Sequence, residues 1–210
     1  MKRILIVDDH AVVRDGVKRI LDQRNGAIGF GEASTPQEAL KMVRDQEWDA
    51  VVLDLSLGGR NGLEVLEGLK QIRPRLPVLI LSMHSEDQYA RRAFKGGAAG
   101  YITKDSPRTE LVKAVDKIIK GGKYVSAALA ENLVVDIERG SDRPPHEALS
   151  NREFEVMSLI ASGKTVSQIA NSLSLSDKTI STYRARLLAK MRMKTNAELT
   201  HYAIQRKLVD

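Results

Sequence analysis

The stretch RILIVDDH at 3–10 sets four consecutive apolar residues, Ile4 to Val7, directly ahead of two adjacent carboxylates, Asp8 and Asp9. A short apolar run that ends in charge reads as a strand buried on both faces, with its polar end emerging at the edge of a sheet. Short apolar runs with a polar end recur at Ala50 to Asp54 (AVVLD), Pro77 to Ser82 (PVLILS) and Gly100 to Thr103 (GYIT). A fifth and weaker run, Ala27 to Ala33 (AIGFGEA), is interrupted by two glycines. Amphipathic stretches near 11–23, 36–46, 62–72, 86–95 and 107–120 lie between and after these runs. Strands alternating with helices give an α/β fold, a doubly wound, five-stranded parallel sheet between two helical layers.

Composition narrows the functional classes. The chain has 210 residues, 42% of them hydrophobic and 29% charged, which suits one large globular domain or two small ones. It has no cysteine, which excludes a disulfide framework, a thiolate zinc site, an iron–sulfur cluster and a thiol nucleophile. The apolar run at the N-terminus is too short for a signal-peptide core or a membrane span, so a cytoplasmic protein with no membrane partner is expected.

Gly121-Gly122 closes the last helix of the α/β part, and Ser141-Asp142-Arg143-Pro144-Pro145 is a cluster of breakers. The expected organisation is one domain over 1–121, a linker with its own helix (Ser126 to Arg139) over 122–147, and a second domain over 148–210. From Leu149 onward only helix patterns occur, at Asn151 to Ser162, Val166 to Leu173, Asp177 to Arg192 and Asn196 to Lys207. Gly163 is placed to cap the first, Ser176 the third, and Thr195 with Glu198 forms a capping-box pattern at the fourth. A short helix, the turn Ser174-Leu175-Ser176 and a longer basic helix make a helix-turn-helix arrangement in a small all-α domain.

Charge follows this division. Residues 1–125 carry 21 Lys+Arg and 17 Asp+Glu (+4), residues 126–147 carry 2 and 5 (−3), and residues 148–210 carry 10 and 5 (+5). Six of those last ten basic residues fall between Ser176 and Asn196, against one acid, Asp177. At 100° per residue, Ile180, Leu187 and Met191 share one side of the helix with Leu188 at its edge. Lys178, Thr182, Ala185, Arg186 and Ala189 share the other. Small residues on the outward side allow close approach to a groove, while Lys178, Arg184, Arg186 and Lys190 offer positive charge to phosphates of double-stranded DNA.

In an open parallel sheet, ligands bind beyond the carboxyl ends of the strands. Asp8 and Asp9, Asp54, Ser82 and Lys104 all follow strand ends, so the topology brings them together. Three crowded carboxylates need a cation, and oxygen donors without His or Cys suit Mg2+. The aspartates at −3, the metal at +2 and Lys104 at +1 sum to zero, a balance suited to an incoming phosphoryl group. Asp54 would be the nucleophile, Lys104 and the metal would neutralise its oxygens, and the Ser82 hydroxyl would donate to one of them. Tyr101, three residues before Lys104, points to the opposite face of the strand and against the 86–95 helix, where it is either core filling or a switch.

The motifs IVDDH at 6–10, VVLDLSLGGRNGLEV at 51–65, LILSMHSED at 79–87 and GAAGYITKDSP at 97–107 resemble the receiver domain of two-component response regulators. LSNREFEV at 149–156, SQIANSL at 167–173 and SDKTISTYRARLLAKM at 176–191 resemble the LuxR-type helix-turn-helix, so the chain is similar to the NarL/FixJ class. The resemblance implies a flavodoxin-like receiver that accepts a phosphoryl group on Asp54 from a sensor histidine kinase. It implies Mg2+ held by Asp9, Asp54 and the backbone carbonyl of Ser56, with Asp8 acting through water, and a switch at Ser82 and Tyr101. For the second domain it implies that Thr179 to Arg186, including Ser181, enter the major groove of promoter DNA. Homodimers would bind two half-sites, with RNA polymerase as a further partner and release of the DNA-binding helix on phosphorylation. Two rival functions are a phosphohydrolase working through Asp54 and a DNA-binding regulator controlled by partner binding without phosphorylation.

Overall fold

The computed structural model describes residues 1–22, 28–58, 60–83, 86–127, 129–131, 144–206 and 208–209. They form two compact units, Met1–Glu131 and Asn132–Asp210. Most of the helix expected over 126–139 lies outside the described residues.

In the first unit, strands β1 (Lys2–Val7), β2 (Ile28–Ala33), β3 (Ala50–Leu53), β6 (Val78–Ser82) and β7 (Gly100–Thr103) form one parallel sheet in the order β2-β1-β3-β6-β7. Helices α1 (Ala11–Asp22), α2 (Pro36–Asp45), α3 (Gly62–Ile72), α4 (Glu86–Lys95) and α5 (Arg108–Ile119) connect them. α1 packs beside α5, whereas α2 packs on α3 and α3 on α4. Ile4, Ile6, Val52, Leu79 and Leu81 join Val17, Leu21, Leu111, Val115 and Ile118 in one core. The alternate residues Leu5, Val7, Val51 and Leu53 are equally buried on the other face, which is why these strands read as unbroken apolar runs.

The expected doubly wound fold is therefore present, with details that periodicity could not supply. β2 tolerates its glycines because the Trp48 ring lies over Gly31, where a Cβ would collide with it. A small antiparallel hairpin, β4 (Ser56–Leu57) with β5 (Arg60–Asn61), follows Asp54 directly. Two-residue strands carry no period, so sequence pattern alone does not mark them. Gly58 takes a left-handed φ of +52° within that hairpin. Past Gly121, Tyr124 is buried in the α1/α5 core and its N–H donates to the Ala99 carbonyl at 2.8 Å, so the first unit extends beyond the last α5 residue.

The second unit contains a 3-10 turn (Pro145–Ala148) and helices α6 (Asn151–Ala161), α7 (Val166–Leu173), α8 (Asp177–Met191) and α9 (Asn196–Gln205). Ser150 with Glu153 and Thr165 with Gln168 form full capping boxes on α6 and α7. At α9, Thr195 accepts from the Glu198 N–H, but Glu198 accepts from the Lys194 N–H, one residue earlier than a capping box would place it. Gly163, with φ +82°, ends α6 through paired bonds from its own N–H to Ile160 and from Lys164 N–H to Leu159. Phe154, Met157, Ile169, Ile180, Leu187 and Leu199 are fully buried and hold the four helices together. Among the described residues no helix is long and apolar enough to cross a membrane.

Gly62 begins α3 with its Cα against the backbone that carries Asp54. A Cβ there would sit 2.5 Å from the Asp54 carbonyl oxygen and 2.5 Å from Leu55 Cα, with only main chain to yield. Gly62→Ala should therefore destabilise the first unit by about 1–3 kcal/mol. The single tryptophan, Trp48, lies in that unit, so urea unfolding followed by its fluorescence isolates the effect.

Candidate functional site

The carboxyl ends of β1, β3, β6 and β7 converge because the sheet places β1 beside β3, β3 beside β6 and β6 beside β7. Asp8 follows β1 and Asp54 follows β3, tied by the Asp54 N–H donating to the Val7 carbonyl at 2.9 Å. Both side chains are buried, each residue 2% exposed. Lys104 leaves β7 with its N–H on the Ser82 carbonyl at 2.8 Å. Its ammonium donates to Asp8 Oδ2 at 2.7 Å and to Asp54 Oδ2 at 2.9 Å.

Burial works against the charge on Lys104, but hydrogen bonds and attraction from the two carboxylates outweigh it and hold its pKa above the ordinary lysine value. For Asp54 the balance falls the other way. Burial raises its carboxyl above the ordinary 3.8, Lys104 pulls it back only in part, and the neighbouring Asp8 charge adds to the rise. Asp54 Oδ1 is buried with no hydrogen-bond partner.

Asp9 sits further out, its Oδ2 accepting from the Gly58 N–H at 3.0 Å. The hairpin that escaped sequence reading thus holds the outer carboxylate. Ser56, the first residue of β4, is exposed, and Ser82 is fully buried at the end of β6. Tyr101 pairs with Ile80 across β6 and β7, and it is fully buried where α4 packs on β7, as its spacing from Lys104 predicts. Two residues without an assigned role also enter the pocket: Arg14 Nη1 donates to the Asp8 carbonyl at 2.7 Å, and the His10 N–H donates to Asp8 Oδ1 at 2.8 Å. Arg14 lies on an ordinary amphipathic helix and gave no signal in the sequence.

Of the sequence-assigned oxygens, Asp8, Asp9 and Asp54 offer a hard donor set suited to Mg2+, and the orphaned Asp54 Oδ1 is a buried acceptor whose lone pairs an ion or a phosphorus atom would engage. The arrangement can stabilise a group carrying several negative oxygens beside the Asp54 carboxylate.

A separate surface occurs in the second unit. On α8, Ile180, Leu187, Leu188 and Met191 face the core, while Lys178, Ser181, Thr182, Ala185, Arg186 and Ala189 are exposed. Thr179 and Arg184 are half-exposed: the Thr179 hydroxyl is paired with that of the N-cap Ser176, and Arg184 Nε donates to Asn196 Oδ1 at 2.6 Å. The Thr182 hydroxyl donates to the Lys178 carbonyl at 2.9 Å, leaving its methyl and its lone pairs to face outward. Lys190, also exposed on α8, has an ion-pair partner on α6. Its ammonium donates to Glu153 Oε2 at 2.6 Å, where Glu153 is 4% exposed and is also the capping residue of α6. Burial would raise the Glu153 pKa, but Lys190 and the Ser150 N–H more than reverse this and hold it low. The helical wheel placed Lys190 beside the outward face, but it could not show the buried acid on α6 that claims its charge.

Residues 4–116 match the receiver domain family of response regulators, and residues 147–203 match the family described as bacterial regulatory proteins, luxR family. The chain is 34% identical over 209 residues to the response regulator UvrY of Escherichia coli (strain K12), covering 99% of this chain and 96% of the relative. It is 34% identical over 210 residues to the response regulator GacA of Pseudomonas protegens, covering 100% and 99%. Among solved structures, it resembles RcsB from Salmonella enterica serovar Typhimurium bound to promoter P1flhDC in the presence of phosphomimetic BeF3-. That match has 26% identity, a TM-score of 0.60, and covers 96% of this chain and 97% of that one.

The raised Asp54 pKa has a consequence for stability. The folded state holds a proton on Asp54 more readily than the unfolded chain does, so ionised Asp54 costs stability above its folded pKa, and that cost disappears as pH falls below the unfolded value. Asp54→Asn should therefore be more stable than wild type at neutral pH, with the gap closing as pH falls through the ordinary carboxylate range. Urea midpoints from Trp48 fluorescence across that range are the measurement. A gap that widens toward acid would contradict the assignment.

Proposed function

Because this chain belongs to the response regulators that join a receiver domain to a LuxR-type DNA-binding domain, we propose that it is a phosphorylation-switched transcription regulator whose phosphoacceptor is Asp54. The observation that carries the proposal is the division of labour on one carboxylate: Oδ2 is held by Lys104, while Oδ1 is buried and unpartnered. In this reading Oδ1 attacks the phosphorus of a phosphohistidine on a sensor kinase. A P–O bond forms as the P–N bond breaks, and the departing imidazole takes a proton from water. Lys104, already charged and fixed between two carboxylates, stays within reach of a phosphoryl oxygen without reorganisation.

Asp8, Asp9, Asp54 and the Ser56 carbonyl are the residues that would hold Mg2+, and the ion when bound supplies neutralising charge for the phosphoryl oxygens. Ser82 would donate its hydroxyl to one such oxygen, and Tyr101, behind it against α4, would change its packing when that happens. Phosphorylation then controls homodimer formation and binding to double-stranded promoter DNA through the exposed face of α8. The solved RcsB relative carries promoter DNA and a phosphate mimic together, which supports this coupling.

With Mg2+ and a small-molecule phosphodonor, intact-mass spectrometry should find one alkali-labile phosphoryl group on the wild-type chain and none on Asp54→Asn. Equal labelling of both proteins would overturn the assignment.

The contacts of α8 separate the two kinds of lysine. Lys178→Ala should weaken binding to all DNA sequences alike and lower the salt slope by about one unit, because an exposed first-turn cation is placed for backbone phosphate. Lys190→Ala should leave the salt slope unchanged and lower the stability of the second unit by about 1 kcal/mol, because it leaves Glu153 without its partner. DNA binding across a salt series, with thermal unfolding of the same proteins, distinguishes the two.

A further inference from the structure

His10 has no part in the reading above, yet it stands at the pocket. Its imidazole Nδ1 lies 2.8 Å from Asp9 Oδ1 and 3.4 Å from Asp8 Oδ1. The three donor atoms all lie within 4.8 Å of one another. Two ligands held about 2.1 Å from one ion stand about 3.0 Å apart at right angles and about 3.4 Å apart in a tetrahedron, and both His10 separations fall close to this range.

The carboxylates are fixed for this contact by other bonds. Gly58 N–H holds Asp9 Oδ2, the His10 N–H holds Asp8 Oδ1, and Lys104 holds Asp8 Oδ2. The imidazole itself is 69% exposed, so a bound ion needs no core residue to move. Asp54, whose Oδ1 is buried and unpartnered, shares Lys104 with Asp8 through its other oxygen.

We infer that His10 supplies a nitrogen ligand to the divalent cation of this pocket and shifts its preference from Mg2+ toward borderline first-row ions such as Co2+ and Zn2+. Mg2+ is hard, keeps its waters and gains little from imidazole. Borderline ions gain a strong bond from the same nitrogen. The inference rests on the proposal that this acidic pocket takes a divalent cation, and it adds that the pocket discriminates among such cations through a residue outside the carboxylate set.

The test is calorimetric titration of the untagged full chain with Co2+ and with Mg2+, comparing wild type, His10→Ala and Asp9→Ala. His10→Ala should lower Co2+ affinity at least about tenfold and leave Mg2+ affinity within about twofold. Asp9→Ala should lose both ions. In Mn2+-loaded wild type, pulsed electron paramagnetic resonance should detect a nitrogen coupling that disappears in His10→Ala. Equal Co2+ affinity in wild type and His10→Ala, or a parallel loss of Co2+ and Mg2+, would overturn the inference while leaving a metal-binding pocket intact. Failure of wild type to bind either ion would overturn the pocket reading as well.

Discussion

Two carboxylates buried side by side repel each other, and Lys104 is the group that makes their burial tolerable. Its ammonium lies within hydrogen-bonding distance of both Asp8 and Asp54, so one cation compensates two anions. The compensation is incomplete: burial, with the neighbouring Asp8 charge added, keeps the Asp54 pKa raised despite Lys104. The remaining charge lies beside the buried, unpartnered Oδ1 of Asp54. Breaking such a buried pair by removing one partner generally costs several kcal/mol, which makes the lysine a structural requirement as well as a chemical one.

The sheet order is what lets one lysine serve two aspartates. Asp8, Asp54 and Lys104 are separated by 46 and 50 residues in the chain, yet they emerge from strands whose carboxyl ends share one edge. Because β1 and β3 are direct neighbours, the two aspartates meet; because Lys104 leaves β7 bonded to the end of β6, its long side chain crosses to them. The second unit solves a related problem with less burial. Glu153 caps α6 and binds Lys190 of α8, so one acid sets a helix start and also anchors the far end of the exposed basic helix.

Much of this was readable in the sequence. The four apolar runs at 3–8, 50–54, 77–82 and 100–103 needed only length and composition to be read as two-sided strands, and the polar residues at or just after their ends mark one edge of the sheet. The capping residues Ser176 and Gly163 likewise mark helix ends through local chemistry alone. What was not readable depends on contacts between distant residues. The β4–β5 hairpin is too short for a period, and its role in holding Asp9 depends on a backbone N–H that no residue identity reports. Lys190 has the same side chain as Lys178, and only the position of Glu153, 37 residues away, gives it a buried ion-pair partner. Tyr101 could be read as core filling or as a switch, because a buried phenol adjoining the pocket's strand satisfies both descriptions.

Tyr124 bears on how the outer edge of the first unit's sheet is covered. β7 is the outermost strand on its side of the sheet, and an outer strand presents unpaired backbone groups that invite pairing with another chain. Tyr124 bridges to Gly100 in parallel register, and its N–H takes the carbonyl of Ala99, so the segment after α5 covers the start of that edge with main chain from its own unit. Gly100 is the residue that permits this, since a Cβ there would press within 3.0 Å of the Tyr124 side chain. A receiver fragment cut at the last residue of α5 would keep every pocket residue and still expose a bare apolar edge, so aggregation of such a fragment would report on a missing cover segment and not on the pocket.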